Sequence, residues 1–101
     1  MKVNSKREIL ELISMNKQKI LGYGIQRIGL FGSFVRNENT DKSDIDFVIK
    51  FDIGKKNYDN FIHLSFFLSD LLERKIELMT EESLSPYLRE NIMSGVEYVP
   101  F

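Results

Sequence analysis

The sequence predicts a single α/β domain, residues 1–101, in which helices pack on a small mixed sheet. The first observation is the order of the segments, which alternates between amphipathic stretches of helical period and short apolar stretches of strand period. The second is size, because 101 residues suffice for one hydrophobic core and are too few for two. The third is composition, since 43% hydrophobic and 29% charged residues are typical of globular chains rather than disordered or membrane proteins.

The composition also narrows the expected setting and partners. No apolar run approaches the roughly 20 residues of a bilayer span, so we expect no membrane association. The beginning of the chain is amphipathic, so we expect no signal peptide, and the absence of cysteine excludes disulfides and thiolate metal sites. Together these features favour a cytoplasmic protein. The net charge of −1 lacks the basic surplus of nucleic-acid-binding proteins, so direct nucleic acid binding is not expected.

The first predicted elements are a helix and a strand. Ser5 and Glu8 have the spacing of a capping box, and Gly22 is placed to end the helix. Between them, apolar residues recur at helical period: Ile9, Leu12, Ile13 and Ile20. The segment Ile25–Phe31 is rich in apolar residues and is closed by Gly32, which predicts a short strand.

The strand with the clearest pattern is predicted over Asp44–Phe51, where polar and apolar residues alternate. A polar connection, 52–59, then leads to a second amphipathic helix. The apolar positions of that helix are Phe61, Leu64, Leu68, Leu71 and Leu72. Lys75–Met79 is predicted as the next strand.

The C-terminal part of the sequence predicts a last helix and an edge strand. Ser85 is a good N-cap, and Pro86 suits the first helical position because its missing N–H has no intrahelical partner there. Gly95 is placed to end this helix. The segment 96–99 could then pair at an edge of the sheet.

Two carboxylates are the first candidates for chemistry. Because side chains alternate along a strand, Asp44 and Asp46 share one face, about 6–7 Å apart along the chain. Such a pair repels itself, so both groups stay ionised only beside a compensating cation. Mg²⁺ binds hard oxygen ligands and commonly joins one or two carboxylates to substrate phosphates. By itself, however, an Asp-x-Asp motif is more often an acidic, solvated strand face.

The turn before this strand is a candidate phosphate site. Gly32 has no Cβ, so a phosphate could approach its backbone. A short helix beginning at Ser33 and running through Arg36 would direct N–H groups, a hydroxyl and a guanidinium at an anion. The alternative is a plain tight turn with a solvent-facing arginine.

Taken together, the two segments resemble a known family. Gly32-Ser33, ten residues and then Asp44-Ile45-Asp46 are similar to the Gly-Ser-x10-Asp-x-Asp signature of the DNA polymerase β-like nucleotidyltransferases. The short length and the sequence around both motifs resemble the minimal (MNT) group, over residues 25–79. The resemblance implies a four- or five-stranded mixed sheet and transfer of a nucleoside monophosphate from ATP with Mg²⁺. It also implies that Gly32 and Ser33 bind the triphosphate and that Asp44 and Asp46 are catalytic metal ligands.

One position departs from the family pattern. The family usually places a third Asp on the following strand, and this sequence has Glu77 there, in Lys75–Met79. Glutamate keeps the charge and adds one methylene of reach, which matters because catalytic geometry is sensitive to shifts near 1 Å. Glu77 is therefore a candidate third ligand or general base, with its contribution to activity left open.

A lone domain of this kind resembles the antitoxin of HEPN/MNT toxin–antitoxin pairs. The resemblance implies an enzyme that transfers AMP from ATP to a tyrosine of a partner HEPN ribonuclease toxin, with which it would form a hetero-oligomer. Two alternatives stay open: a binding module that neutralises such a partner by contact alone, and a nucleotide-sensing domain without turnover. The sequence leaves open the nucleotide preference, the acceptor residue, the partner's identity and the oligomeric state.

Overall fold

The chain folds as a four-stranded mixed sheet flanked by helices, as the sequence predicts. The structure is a computed structural model, and it describes residues 2–101. Within that range the helices are α1 (Lys6–Met15), α2 (Lys17–Leu21), α3 (Tyr58–Leu72) and α4 (Pro86–Ser94), with a 3₁₀ turn at Glu81–Ser83. The strands are β1 (Ile25–Phe31), β2 (Ile45–Phe51), β3 (Ile76–Thr80) and β4 (Glu97–Tyr98).

The sheet has the strand order β3-β2-β1-β4. β2 and β3 run parallel, and β1 is antiparallel to both β2 and β4. The end of β1 therefore lies beside the beginning of β2, and the beginning of β3 lies on the other side of β2. In residue terms, Phe31 is opposite Asp46, and Asp46 is opposite Glu77. All the candidate site residues are thus collected at one end of the sheet.

The prediction of one N-terminal helix is wrong, because the segment forms two helices, α1 and α2. Asn16 has φ −110° and ψ 23°, which ends α1, and α2 starts at the next residue. The side-chain amide of Asn16 donates to the carbonyl of Leu12 at 2.8 Å, so it competes with the backbone for helical hydrogen bonds. The Ser5 cap is present and accepts from the Glu8 N–H, while the Glu8 carboxylate accepts from the N–H of Asn4.

The core lies between one face of the sheet and the helices α1, α2 and α3. On β2 the predicted core positions Ile45, Phe47 and Ile49 are fully buried, and Val48 on the other face is buried as well. From the helices, the fully buried residues are Ile9, Ile13, Ile20, Leu64, Leu68 and Leu72. The predicted connection 52–59 is shorter than expected, since α3 begins at Tyr58. The side chain of Asn57 caps this helix by accepting from Asn60 N at 2.8 Å.

The C-terminal elements agree with the prediction. Ser85 caps α4, Pro86 occupies its first turn and Gly95 ends it. β4 pairs with β1 and closes that edge of the sheet. None of the side chains of α4 is buried, whereas α1, α2 and α3 each have buried residues. No helix within residues 2–101 combines the length and apolar character needed to cross a membrane.

Candidate active site

The carboxylates predicted from the sequence converge at the beginning of β2. Asp46 lies in β2, and Glu77 is its register partner on the parallel strand β3, so the two side chains share a face of the sheet. Asp44 immediately precedes β2 and is half-buried, with 34% of its side chain exposed. The next residue on this face, Val48, is fully buried. The face is therefore partly desolvated around Asp46, in contrast to a solvated acidic strand.

This surrounding raises the pKa of Asp46 to about 6. Burial is the largest cause, because it disfavours the charged carboxylate. The carboxylate of Glu77 comes next, through both its charge and a hydrogen bond, and the charge of Asp44 adds to the same direction. The charge of Arg36 opposes the shift to a smaller extent. A carboxylate whose pKa is raised by burial and by neighbouring carboxylates is typical of functional sites.

The ion pair that Asp44 makes with a basic side chain is weak. Lys75 places its Nζ 3.9 Å from Asp44 Oδ2, but 78% of the lysine side chain is exposed. An ion pair at that distance and exposure contributes little, on the order of 0–1 kcal/mol. Neither aspartate therefore has a cation that neutralises it as fully as a buried arginine would.

Gly32 is required where it lies, for a reason that differs from the sequence argument. Its φ is +81°, a left-handed conformation that side chains disfavour, and a Cβ built there would collide with the Asp46 carboxylate. The space left by the missing side chain is thus occupied by Asp46. The glycine directly links the turn to the carboxylate pair, while its contact with a phosphate stays a prediction.

The predicted short helix from Ser33 through Arg36 is wrong, because this segment is a single turn. Arg36 N donates to Gly32 O, and Asn37 then adopts φ 59°, the left-handed conformation that ends helices. Glu38 N donates to Ser33 O at 2.9 Å and completes this C-terminal cap. One turn carries no appreciable helix dipole. The candidate anion contacts are therefore local: the backbone and hydroxyl at Ser33, and the exposed guanidinium of Arg36.

The residues at this face fit a hard divalent cation. Carboxylate oxygens are the donors that Mg²⁺ prefers. The pKa of Asp46 is raised first by burial and then by the charges of Glu77 and Asp44, and a bound cation would offset both effects. Among residues 2–101, no three His, Cys, Asp or Glu side chains are already gathered as a complete ligand cluster. Mg²⁺ does not require one, because it usually takes one or two carboxylates and completes its shell with phosphate and water.

Sequence reasoning missed a buried arginine that holds the site in place. Arg74 is 6% exposed, lies between α3 and β3, and places its guanidinium 5.2 Å from the ring centre of Phe34. Its hydrogen-bond acceptors are oxygens of Val3, Asn4, Thr40, Asp41 and Ser43. Arg74 thus fastens both the turn after Gly32 and the connection that leads into Asp44. No sequence pattern marks it, since it is one of 14 Lys and Arg residues spread along the chain.

The fold and this site define a class of protein. A four-stranded mixed sheet that places an Asp-x-Asp pair beside a Gly-Ser turn, with a third carboxylate on the neighbouring strand, is the arrangement of a nucleotidyltransferase. The nucleotidyltransferase domain family matches residues 8–99, and the chain belongs to that family.

Named relatives indicate the activity more specifically. A relative from Methanocaldococcus jannaschii, provisionally named as a protein adenylyltransferase, is 38% identical over 95 residues, covering 91% of this chain and 95% of its own. The protein adenylyltransferase MntA of Thermococcus cleftensis is 30% identical over 93 residues, covering 91% of this chain and 93% of its own. The chain is therefore a nucleotidyltransferase homologous to protein adenylyltransferases.

Solved structures share the fold. A structure described as a minimal nucleotidyltransferase has a TM-score of 0.70 and 28% identity, covering 91% of this chain and 95% of that one. A toxin–antitoxin complex with AMP-PNP has a TM-score of 0.66 and 21% identity, covering 93% and 71%. The third is a complex of the tri-AMPylated HEPN toxin of Shewanella oneidensis with MNT antitoxin, with a TM-score of 0.57 and 20% identity, covering 86% and 71%.

Proposed function

We propose that this chain transfers AMP from ATP to a tyrosine of a partner HEPN ribonuclease toxin and so acts as its antitoxin. The observation that carries the proposal is the carboxylate face, where Asp46 lies against Gly32 and opposite Glu77. The named relatives support transfer of an adenylyl group to protein. The complexes of similar fold support a toxin as the acceptor and AMP as the group transferred.

The proposed reaction is a displacement at the α-phosphorus of ATP. The phenolic oxygen of the acceptor tyrosine attacks this phosphorus, the bond to the β-phosphate oxygen breaks, and pyrophosphate leaves with the electron pair. The phenolic proton passes to a base, for which Glu77 is the candidate because it lies beside Asp46 and its side chain is exposed. The products are the AMP–tyrosine ester and pyrophosphate.

Different residues of the chain would bind the metal ion and the triphosphate. Asp44 and Asp46, with Glu77 as a third carboxylate, would hold Mg²⁺. When bound there, the ion supplies neutralisation of the charge that develops on the phosphoryl oxygens. Ser33 and the backbone at Gly32 would bind the triphosphate. Arg36 is placed to contact it as well, because its charge already acts on Asp46.

The test is a transfer assay with labelled ATP, Mg²⁺ and a HEPN-type toxin, in which AMP incorporation and toxin inhibition are measured side by side. We expect the wild type to label the toxin on tyrosine and to inhibit it, and Asp44→Asn to lose both. Labelling of another residue type would correct the acceptor. Inhibition that persists in the Asp44→Asn protein without any incorporation would overturn the enzymatic role.

Neutralisation by contact is the second candidate function. One observation favours it: the longer Glu77 stands where the family usually has Asp. In that case, variants of the carboxylate face leave inhibition intact, and only changes in the contact surface relieve it. A nucleotide-sensing domain would differ from both, since ATP would bind and change toxin affinity without pyrophosphate release.

A further inference from the structure

A cleft of about 300 Å³ opens beside the carboxylate face. One wall comes from the end of β1 and the turn after it, with Phe31, Val35 and Arg36. The other wall comes from the C-terminal part of α4, with Asn91 and Ile92. The volume is at the lower end of the range for small-molecule sites.

The lining has the chemistry of a nucleoside site. Phe31, Val35 and Ile92 are half-buried apolar side chains that can cover the flat faces of a base. Polar groups come from both walls, Arg36 from one and Asn91 from the other. A few polar groups on an apolar lining are what fixes the orientation of a bound small molecule.

The position of the cleft indicates how a bound triphosphate would be oriented. Gly32 lines the cleft and also touches the Asp46 carboxylate, so that part of the cleft adjoins the proposed point of transfer. Arg36 is on the same wall, and its charge acts on Asp46. A triphosphate with its α-phosphorus near Asp46 would therefore have its nucleoside directed into the cleft, towards α4.

We propose that this cleft binds the nucleoside of the triphosphate and that Asn91 determines the preference for adenine. This inference rests on the proposed function. A side-chain amide offers one donor and one acceptor side by side. On the edge that carries N7, adenine presents a matching donor and acceptor, the N6 amino group and N7, whereas guanine presents two acceptors there, O6 and N7. The wall that carries Asn91 is anchored by Arg89, whose Nη1 donates to the carbonyl of Glu81 at 3.1 Å.

The experiment separates the nucleoside from the phosphates. Binding of ATP, GTP and inorganic tripolyphosphate, each with Mg²⁺, is measured by calorimetry for the wild type, Asn91→Ala and Ile92→Ala. Leu88→Ala is the matched control, because Leu88 lies on the same helix, is 56% exposed and does not line the cleft. Thermal unfolding of each variant checks that α4 is kept.

We expect Asn91→Ala to weaken ATP binding about 10-fold and to remove the preference over GTP, as loss of a base-reading hydrogen bond does. Ile92→Ala should weaken ATP and GTP alike, by roughly 3–10-fold for lost apolar contact. Neither change should affect tripolyphosphate, and Leu88→Ala should change nothing.

The outcomes distinguish this inference from the proposed function. If the wild type transfers AMP and both variants bind all three ligands as the wild type does, the cleft assignment is wrong and the proposed function stands. An equal loss of tripolyphosphate and ATP affinity would also overturn the assignment. If the variants behave as expected but no AMP reaches the toxin, the proposed function fails while the nucleoside site stands. A wild type that binds no ATP would overturn both.

Discussion

Two carboxylates in this small domain, Asp46 and Glu81, show how a partner decides what a buried acid does. Glu81 is 3% exposed, and its carboxylate accepts two hydrogen bonds of 2.6 Å from Arg27 and one of 2.8 Å from the Tyr98 hydroxyl. Its pKa is lowered, chiefly by the Arg27 hydrogen bonds, which outweigh the effect of burial. Asp46 is less buried, yet its pKa is raised to about 6 because Glu77 and Asp44 add negative charge to the effect of burial.

The charged form of the carboxylate is therefore stabilised at Glu81 and destabilised at Asp46. The Glu81 cluster is satisfied within the fold, and it joins the 3₁₀ turn to β1 and β4 through Arg27 and Tyr98. The carboxylate face is left under repulsion that the exposed Arg36 and Lys75 only partly offset and that a bound cation would relieve. A satisfied ion pair stabilises a native state, whereas an unsatisfied cluster is a place where ligands bind.

The largest expected effect is on transfer by Asp46→Asn. Losing one charge from the metal-binding face should lower the AMP transfer rate at least ~10³-fold. The same change should raise the melting temperature at pH 7 without Mg²⁺, because it removes the repulsion. The sign follows from the raised pKa: the folded state loses stability as pH rises from the ordinary 3.8 to about 6, so the gain should be smaller at pH 4.

The matched control for that experiment is Asp52→Asn, an exposed carboxylate that directly follows the other end of β2. It should leave both the transfer rate and the melting temperature within error. An Asp46→Asn protein that transfers AMP at the wild-type rate would remove Asp46 from the site.

The next effect concerns Glu77, the departure from the family pattern. Glu77→Gln should lower the transfer rate on the order of 10²-fold, as loss of a general base does. Glu77→Asp should retain or raise the rate, since it restores the shorter side chain that the family usually carries. Steady-state rates at saturating ATP check both. If the Gln variant transfers AMP at the wild-type rate, Glu77 is neither a base nor a required ligand.

The third prediction concerns the Glu81 cluster and removes its arginine. Arg27→Met should lower the free energy of unfolding by about 2 kcal/mol, because Glu81 is left buried without its cation. The figure lies below that for a fully buried pair, since 46% of the Arg27 side chain is exposed. Urea unfolding measures it, with Arg7→Met as control, because the exposed Arg7–Glu11 pair should contribute less than about 0.5 kcal/mol. Equal losses in the two variants would mean that burial of Glu81 adds nothing.

The smallest effect is the acid dependence of stability. Because the pKa of Glu81 is lowered from 4.5, its contribution is fully present above that pH and is lost as pH falls through the lower folded value. As pH falls below 5, the wild type should therefore lose more stability than the Arg27→Met protein does. Melting temperatures across that range test it, and parallel curves for the two proteins would contradict the assignment to Glu81.

Much of the secondary structure could be predicted from the sequence, because it depends on residues close together in the chain. The β1 bounds, the buried positions Ile45, Phe47 and Ile49 of β2 and the Ser85 cap of α4 depend on neighbours in sequence, and each was predicted. The boundaries that were wrong lie where a side chain competes with the backbone, as at Asn16, or where a residue such as Asn37 takes a left-handed conformation and ends a turn early.

The sequence alone determined that Asp44 and Asp46 accompany a Gly-Ser turn at family spacing and that Glu77 follows on the next strand. Only the tertiary structure decided that Glu77 lies opposite Asp46, because register depends on which strands are neighbours. It also decided that Asp46 fills the space beside Gly32 and that Arg74 fastens the connection into Asp44. The physical reason is distance: a side chain's pKa and contacts depend on groups near it in space, and Arg74 meets Val3 across 71 positions of the chain.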